Sequence, residues 1–135
     1  IETTFELNDV IKAAIPMKCR INGGHPAKRT FQAIRIELNH ELDVLESSID
    51  TMIDRLNADG RLCIITFHSL EDRICKNIFK EKSEMDSIFK GLPDKDIPLE
   101  YRPELKLIAK IKPSKKELVD NNRSRSSILR VAEKM

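Results

Sequence analysis

RLCIITFHSLEDR, Arg61 to Arg73, is the stretch on which the fold turns. From Leu62 to Phe67 six apolar or β-branched residues run unbroken, with Asp59-Gly60 before them and a polar cluster after. A run that short, with those borders, reads as a strand buried on both faces. Ser69 can cap a following helix, whose electropositive first turn receives Glu71 and Asp72. Strand, polar crossing and helix form half of a parallel α/β unit. Open parallel sheets gather ligands at the carboxyl ends of their strands, where His68 and Ser69 fall.

Upstream, Phe31, Ile34, Leu38, Leu42, Leu45, Ile49, Met52 and Leu56 recur at spacings of three and four. They predict one helix of about seven turns that crosses the sheet, with Pro26 in its first turn and Gly60 as a left-handed cap. Before it, Thr3 and Glu6 have capping-box spacing, and Leu7, Val10, Ile11 and Ile15 share one helical face. Residues 17–25 read as a basic loop closed by the breakers Asn22-Gly23-Gly24. Downstream, Leu70, Ile74, Ile78 and Phe79 stripe a helix to about Lys82, and residues 83–103 form an irregular surface loop. Residues 104–111 alternate as a half-exposed strand. Ser114 and Glu117 box a short helix ending near Asn121-Asn122, and residues 126–133 make a last strand.

With 135 residues, 40% of them apolar and 34% charged, the chain can bury one globular core. It has no apolar run of membrane-spanning length and no signal peptide, and Cys19, Cys63 and Cys75 read as reduced thiols, so a cytoplasmic location is expected. The chain opens on Ile1 rather than Met, so further sequence upstream is expected. The formal charge of +2 conceals segregation. Residues 17–36 carry five Lys/Arg and no acid, residues 37–60 seven acids and one Arg, and residues 104–135 nine bases and four acids. Basic ends around an acidic helix point to an anionic partner or to solvated surface.

No Cys or His pair has zinc-chelating spacing, so no metal site is expected. Ser69 beside His68 admits a small hydrolase, but no nucleophile-elbow glycines surround them, and Ser69 as a helix cap is the simpler reading. His68, just past the strand, is placed to bond either a ligand or the backbone. There is no phosphate loop and no dinucleotide fingerprint, so the sequence has the outer part of an α/β sheet without a recognisable cofactor-binding part. His25, Lys28 and Arg29 surround a helix start, and Arg123, Arg125 and Arg130 lie at or near the last strand. All suit phosphate oxygens, and the arginines could equally pair with Glu71 or Asp72.

GGHPAKRTFQAIRIELNHEL (23–42), DGRLCIITFHSLEDRICKNIF (59–79) and NNRSRSSILRVAEK (121–134) together resemble the small-subunit ribosomal RNA cytosine-N4 methyltransferase family, MraW or RsmH. The resemblance covers nearly the whole chain except residues 83–103, where many members carry a cysteine cluster that is lacking here. It implies the C-terminal half of a class I, Rossmann-like methyltransferase sheet, with a parallel strand and an antiparallel last strand. Residues 1–25 would be the end of a helical insertion and residues 26–135 the C-terminal half of the methyltransferase domain. The implied activity is S-adenosylmethionine-dependent N4-methylation of a cytidine in small-subunit ribosomal RNA, with the ribosomal subunit as partner. The family's glycine-rich cofactor loop, ribose-binding acid and Asp-Leu-Gly motif lie upstream of this sequence. The chain alone is therefore expected to be inactive, with no cofactor-binding residue and His68 as the one catalytic candidate. Its expected RNA contacts are His25, Lys28, Arg29, His68, Arg73, Arg123 and Arg125. An uncovered sheet edge and apolar helix face are expected to drive self-association. A standalone RNA-binding module and a hydrolase using His68 and Ser69 are the alternatives.

Overall fold

The computed structural model describes residues 1–18 and 25–135, so Cys19 and the Asn22-Gly23-Gly24 cluster lie outside the described residues. Two compact units emerge, residues 1–41 and 42–135.

In the first unit, α1 (Thr4–Ala14) is capped as its sequence requires, the Thr3 side chain accepting from the Glu6 N–H. α2 (Lys28–Asn39) starts after Ala27, and Pro26 sits in the turn before it rather than inside its first turn. The single long helix is not formed: His40 takes a left-handed conformation (φ 51°), and its N–H closes back on the Glu37 and Ile36 carbonyls. His is among the non-glycine residues that tolerate this region. Glu41 then receives Arg35 at 2.7 Å and 2.9 Å, and the Asn39 amide at 3.4 Å. α3 (Glu41–Asp54) follows and buries Ile49 and Ile53, whereas Leu38 and Met52 of the expected stripe are exposed, so the buried face is offset from the one the spacing predicts.

In the second unit, Asp59 (φ 63°) is the left-handed residue, not Gly60. Glycine is needed at 60 for space, since a Cβ there would lie 2.8 Å from the Asn57 carbonyl oxygen. The chain then forms β1 (Arg61–Thr66), α4 (Ser69–Ser83), β2 (Leu105–Ile111), α5 (Lys115–Asp120) and β3 (Ile128–Lys134). The three strands share one sheet in the order β1-β3-β2, with β3 antiparallel to both neighbours. β1 and β2 therefore run the same way, joined through α4, with the last strand between them. The strand from Arg61 is an edge strand, in keeping with the uncovered sheet edge expected from the sequence.

The register assigns the faces. Leu62, Ala132 and Leu107 form one row, and Ile64, Arg130 and Lys110 the next. This face receives α3 and α4: Ile49 and Ile53 from α3 and Cys75, Ile78 and Phe79 from α4 close over Leu62, Leu105 and Ala132. The opposite face carries the rows Cys63–Val131–Ala109 and Ile65–Leu129–Ile111. Ile65 is 58% exposed, Ile111 51%, and Cys63 is exposed too. So β1 is buried on one face only, and its unbroken apolar run exceeds what this chain covers. A register shift between Leu107 and Ala109 explains why strict alternation along β2 failed to place its apolar residues: beyond it Ala109 and Ile111 switch faces. The 83–103 connection is more ordered than expected, with three 3-10 turns, a buried Ile97 whose carbonyl accepts from Arg102 Nε (3.0 Å), and Phe89 against Tyr101.

Candidate nucleic-acid interface

At the carboxyl end of β1 the helix is capped by His68, not Ser69. His68 is extended, its Nδ1 accepts from the Glu71 N–H at 3.4 Å, and the Glu71 carboxylate accepts from the Phe67 and His68 N–H groups at 2.8 Å and 3.2 Å. A ring nitrogen here replaces the usual hydroxyl acceptor of a capping box. Nε2 lies 3.1 Å from Glu71 Oε1, yet it is buried without the alignment of a hydrogen bond. Of the two roles open to His68, it performs the backbone one. Ser69 is exposed in the first turn, and among the described residues no hydrogen bond joins it to His68, so the geometry offers no Ser–His dyad.

Below the cap, Asp72 of α4 takes Arg130 of β3 in a two-pronged pair, Nε to Oδ1 at 2.7 Å and Nη2 to Oδ2 at 3.0 Å. Hydrogen bonding by that guanidinium, against the cost of burial, holds the Asp72 carboxyl below its ordinary value. Arg130 is therefore a structural clamp. Glu104 is likewise lowered by hydrogen bonds from Lys82 and Lys134. Arg61 pairs with Glu133 across the β1–β3 ladder at 2.8 Å. Burial first, then Asp72, pushes the Cys75 thiol up to about 11, which makes it a packing group and not a nucleophile.

The pairing uses up the sheet's arginines but not those of the loops. Arg123 and Arg125 are exposed on a 3-10 turn (Asn122–Ser126) and have no ion-pair partner among the described residues. Thr66 pairs with Ile128, so the end of β1, with His68 just beyond, abuts the start of β3 and this turn. Arg73 is exposed one turn into α4. His25, Lys28 and Arg29 are exposed at the start of α2, in the other compact unit. The expected contacts thus fall into two groups: His68, Arg73, Arg123 and Arg125 at one sheet end, and His25, Lys28 and Arg29 at a helix start. Lys112, Lys115 and Lys116, exposed just past β2 at the same sheet end, were not singled out by the sequence reading. The signal available for them was the nine-to-four excess of bases over acids in residues 104–135. Among the described residues no cluster of His, Cys, Asp and Glu could hold a metal, and no helix is long and apolar enough to cross a membrane.

The model of the MraW methylase family matches residues 1–135. The chain is 57% identical over its whole length to ribosomal RNA small subunit methyltransferase H of Exiguobacterium sibiricum. It is 56% identical to the protein of that name from Lachnospira eligens and 55% identical to that from Finegoldia magna, again over its whole length. It spans 43–44% of the length of these relatives. With an α/β fold, a match along every residue and more than half of the residues identical to these relatives, the chain belongs to the MraW methylase family.

Proposed function

We propose that this chain is the RNA-holding portion of an S-adenosylmethionine-dependent methyltransferase, which methylates N4 of a cytidine in small-subunit ribosomal RNA in the cytoplasm. By itself it neither binds the cofactor nor methylates. Family membership supports the reaction class. The observation that carries the division of labour is the collection, at the carboxyl end of β1 and β2, of cations without an ion-pair partner among the described residues. A cavity that the described residues line at the far end of the sheet does not suit S-adenosylmethionine. It measures about 510 Å³, is lined by Met85, Ile97, Leu99, Arg102, Glu104 and Lys134 among others, and lies where β2 begins and β3 ends. That is the wrong end of the sheet for a cofactor of this fold class, and its carboxylate is already engaged by two lysines.

A cytosine amine is a weak nucleophile because its lone pair is drawn into the ring. Its methylation needs a base taken out of its stack, held in line and accepted as a hydrogen-bond donor. Holding the RNA is the share that fits these residues. Lys28, Arg29, Arg73, Arg123 and Arg125 present exposed charge to phosphates, with His25 beside the first two, while His68 fixes the strand-to-helix turn from which Arg73 projects. Charge reversal at Arg29 and Arg125 in the intact methyltransferase should weaken binding of the ribosomal RNA substrate. It should also flatten the salt dependence by about 0.7–0.9 in log–log slope for each phosphate that the variant no longer neutralises. Unchanged affinity and slope would remove both residues from the interface.

The same reading accounts for the surplus of β1. Its apolar outer face and open edge are surfaces that the rest of a longer sheet would cover, so the 135-residue chain should self-associate through them. Light scattering across a concentration series should show growth beyond the monomer mass of 15.5 kDa. A strictly monomeric species at high concentration would contradict this.

A further inference from the structure

We infer that the excursion between β2 and β3, residues 112–127, is a preorganised clamp for the phosphodiester backbone of RNA beside the target nucleotide. This rests on the functional reading above and deepens it. The excursion holds five cations, Lys112, Lys115, Lys116, Arg123 and Arg125, against Glu117 and Asp120. All five are exposed, and none has an ion-pair partner among the described residues. Solvated surface cations on mobile loops would look similar in sequence. What separates this segment is its internal bonding.

Ser114 caps α5 by accepting from the Glu117 N–H at 3.1 Å, and the Asn121 N–H ends the helix on the Glu117 carbonyl at 2.7 Å. Asn121 then starts the next turn, its Oδ1 accepting from the Arg123 N–H at 3.2 Å. Ser124 is buried and donates both its N–H (3.0 Å) and its hydroxyl (2.8 Å) to the Asn121 carbonyl. Ser127 does the same to the Ser124 carbonyl, at 2.8 Å for each donor. The uncharged residues of NNRSRSS thus fix the backbone, and the two arginines between them face solvent. Cations held on a fixed backbone lose less entropy on binding and suit a ligand with repeated, regularly spaced anions. In the sheet itself, by contrast, three of the five cations are each matched by an acid, Arg61 by Glu133, Arg130 by Asp72 and Lys134 by Glu104, and only Lys106 and Lys110 of β2 have no such pair among the described residues. The register pairs Thr66 with Ile128 and Ile111 with Leu129, which puts both ends of the excursion at the carboxyl end of β1 and β2. A phosphate run lying along it passes beside the strand end where open α/β sheets bind their ligands.

The test measures binding of the 135-residue chain to a ribosomal RNA stem–loop over a salt series. Lys115→Glu/Lys116→Glu and Arg123→Ala/Arg125→Ala are compared with a control, Lys90→Glu/Lys95→Glu, which changes exposed lysines in the connection before β2. Each clamp variant should lose about tenfold or more in affinity, and its salt slope should fall by about 1.4–1.8, the share of two phosphates. The control should stay within about threefold. Equal losses in clamp and control variants, no loss in either clamp variant, or binding to phosphatidylserine vesicles as tight as to RNA would overturn the inference. An intact Lys115→Glu/Lys116→Glu methyltransferase that methylates with an unchanged KM ends the clamp but leaves the reaction class standing.

Discussion

Arg130→Met should destabilise the fold by about 3 kcal/mol and lower the melting temperature by on the order of 10 °C. The side chains of Arg130 and Asp72 are only 12% and 17% exposed, and the pair joins the middle strand to the helix that covers it. Removing the guanidinium leaves a carboxylate largely out of water with its two best donors gone, and that uncompensated charge sets the magnitude. Replacing both partners, Asp72→Leu with Arg130→Met, should recover much of the loss, because an apolar pair of similar volume needs no solvation. The pH dependence follows in sign. Asp72 and Glu104 both titrate below their ordinary values of 3.8 and 4.5 in the folded protein. The unfolded chain therefore takes up protons first as pH falls, so the stabilisation is complete above the ordinary values and is lost as pH drops through the lower folded ones. Wild type should lose stability steeply below about pH 4, and Arg130→Met should show a shallower acid limb. Urea melts from about pH 7 to about pH 3 read both effects. A variant with wild-type stability at neutral pH would show that the clamp is not structural.

Ile53→Ala should cost about 3–4 kcal/mol. Ile53 and Ile49 are fully buried, and they are the α3 residues that close on Leu62, Cys75, Phe79, Leu105 and Ala132. A methyl left in place of the Ile53 side chain opens a cavity between two helices and a sheet, where close-packed neighbours relax only in part. The neighbouring Met52 is exposed, and Met52→Ala should fall within about 0.5 kcal/mol. Denaturant melts of the two variants side by side separate burial from helix propensity. Equal losses would mean that α3 does not dock through this face.

How far the sequence carried these conclusions varies by element. The strands and the helix after β1 were legible because period-2 and period-3.6 patterns survive in short windows. The N-cap at Ser114 was legible because a hydroxyl three residues before a glutamate is a local signal. The cap at His68 was not: imidazole is an unusual N-cap, and Ser69 next to it matched the common pattern. The helix break was hidden for a related reason. One left-handed residue at His40 interrupts the hydrogen bonds without disturbing the apolar spacing on either side. Sheet order was beyond local reading, since no periodicity says that the last strand slots between the other two. The apolar run in β1 does form a strand, but one buried on a single face, because a run of apolar residues does not say which of its two faces is covered. At the site, charge excess located the basic end of the chain. Only the pairing of Arg130 with Asp72, and the absence of such a partner for Arg123 and Arg125 among the described residues, separated the structural arginine from those available to a ligand.

The most direct test of the division between an RNA-holding portion and a methyl-donor pocket built elsewhere is calorimetric titration of S-adenosylmethionine into this 135-residue chain beside the intact methyltransferase. The expected result is saturable one-to-one binding to the intact enzyme and no saturable heat with the chain alone. One-to-one binding to the chain with comparable affinity would contradict the account, because the pocket would then reside in these residues.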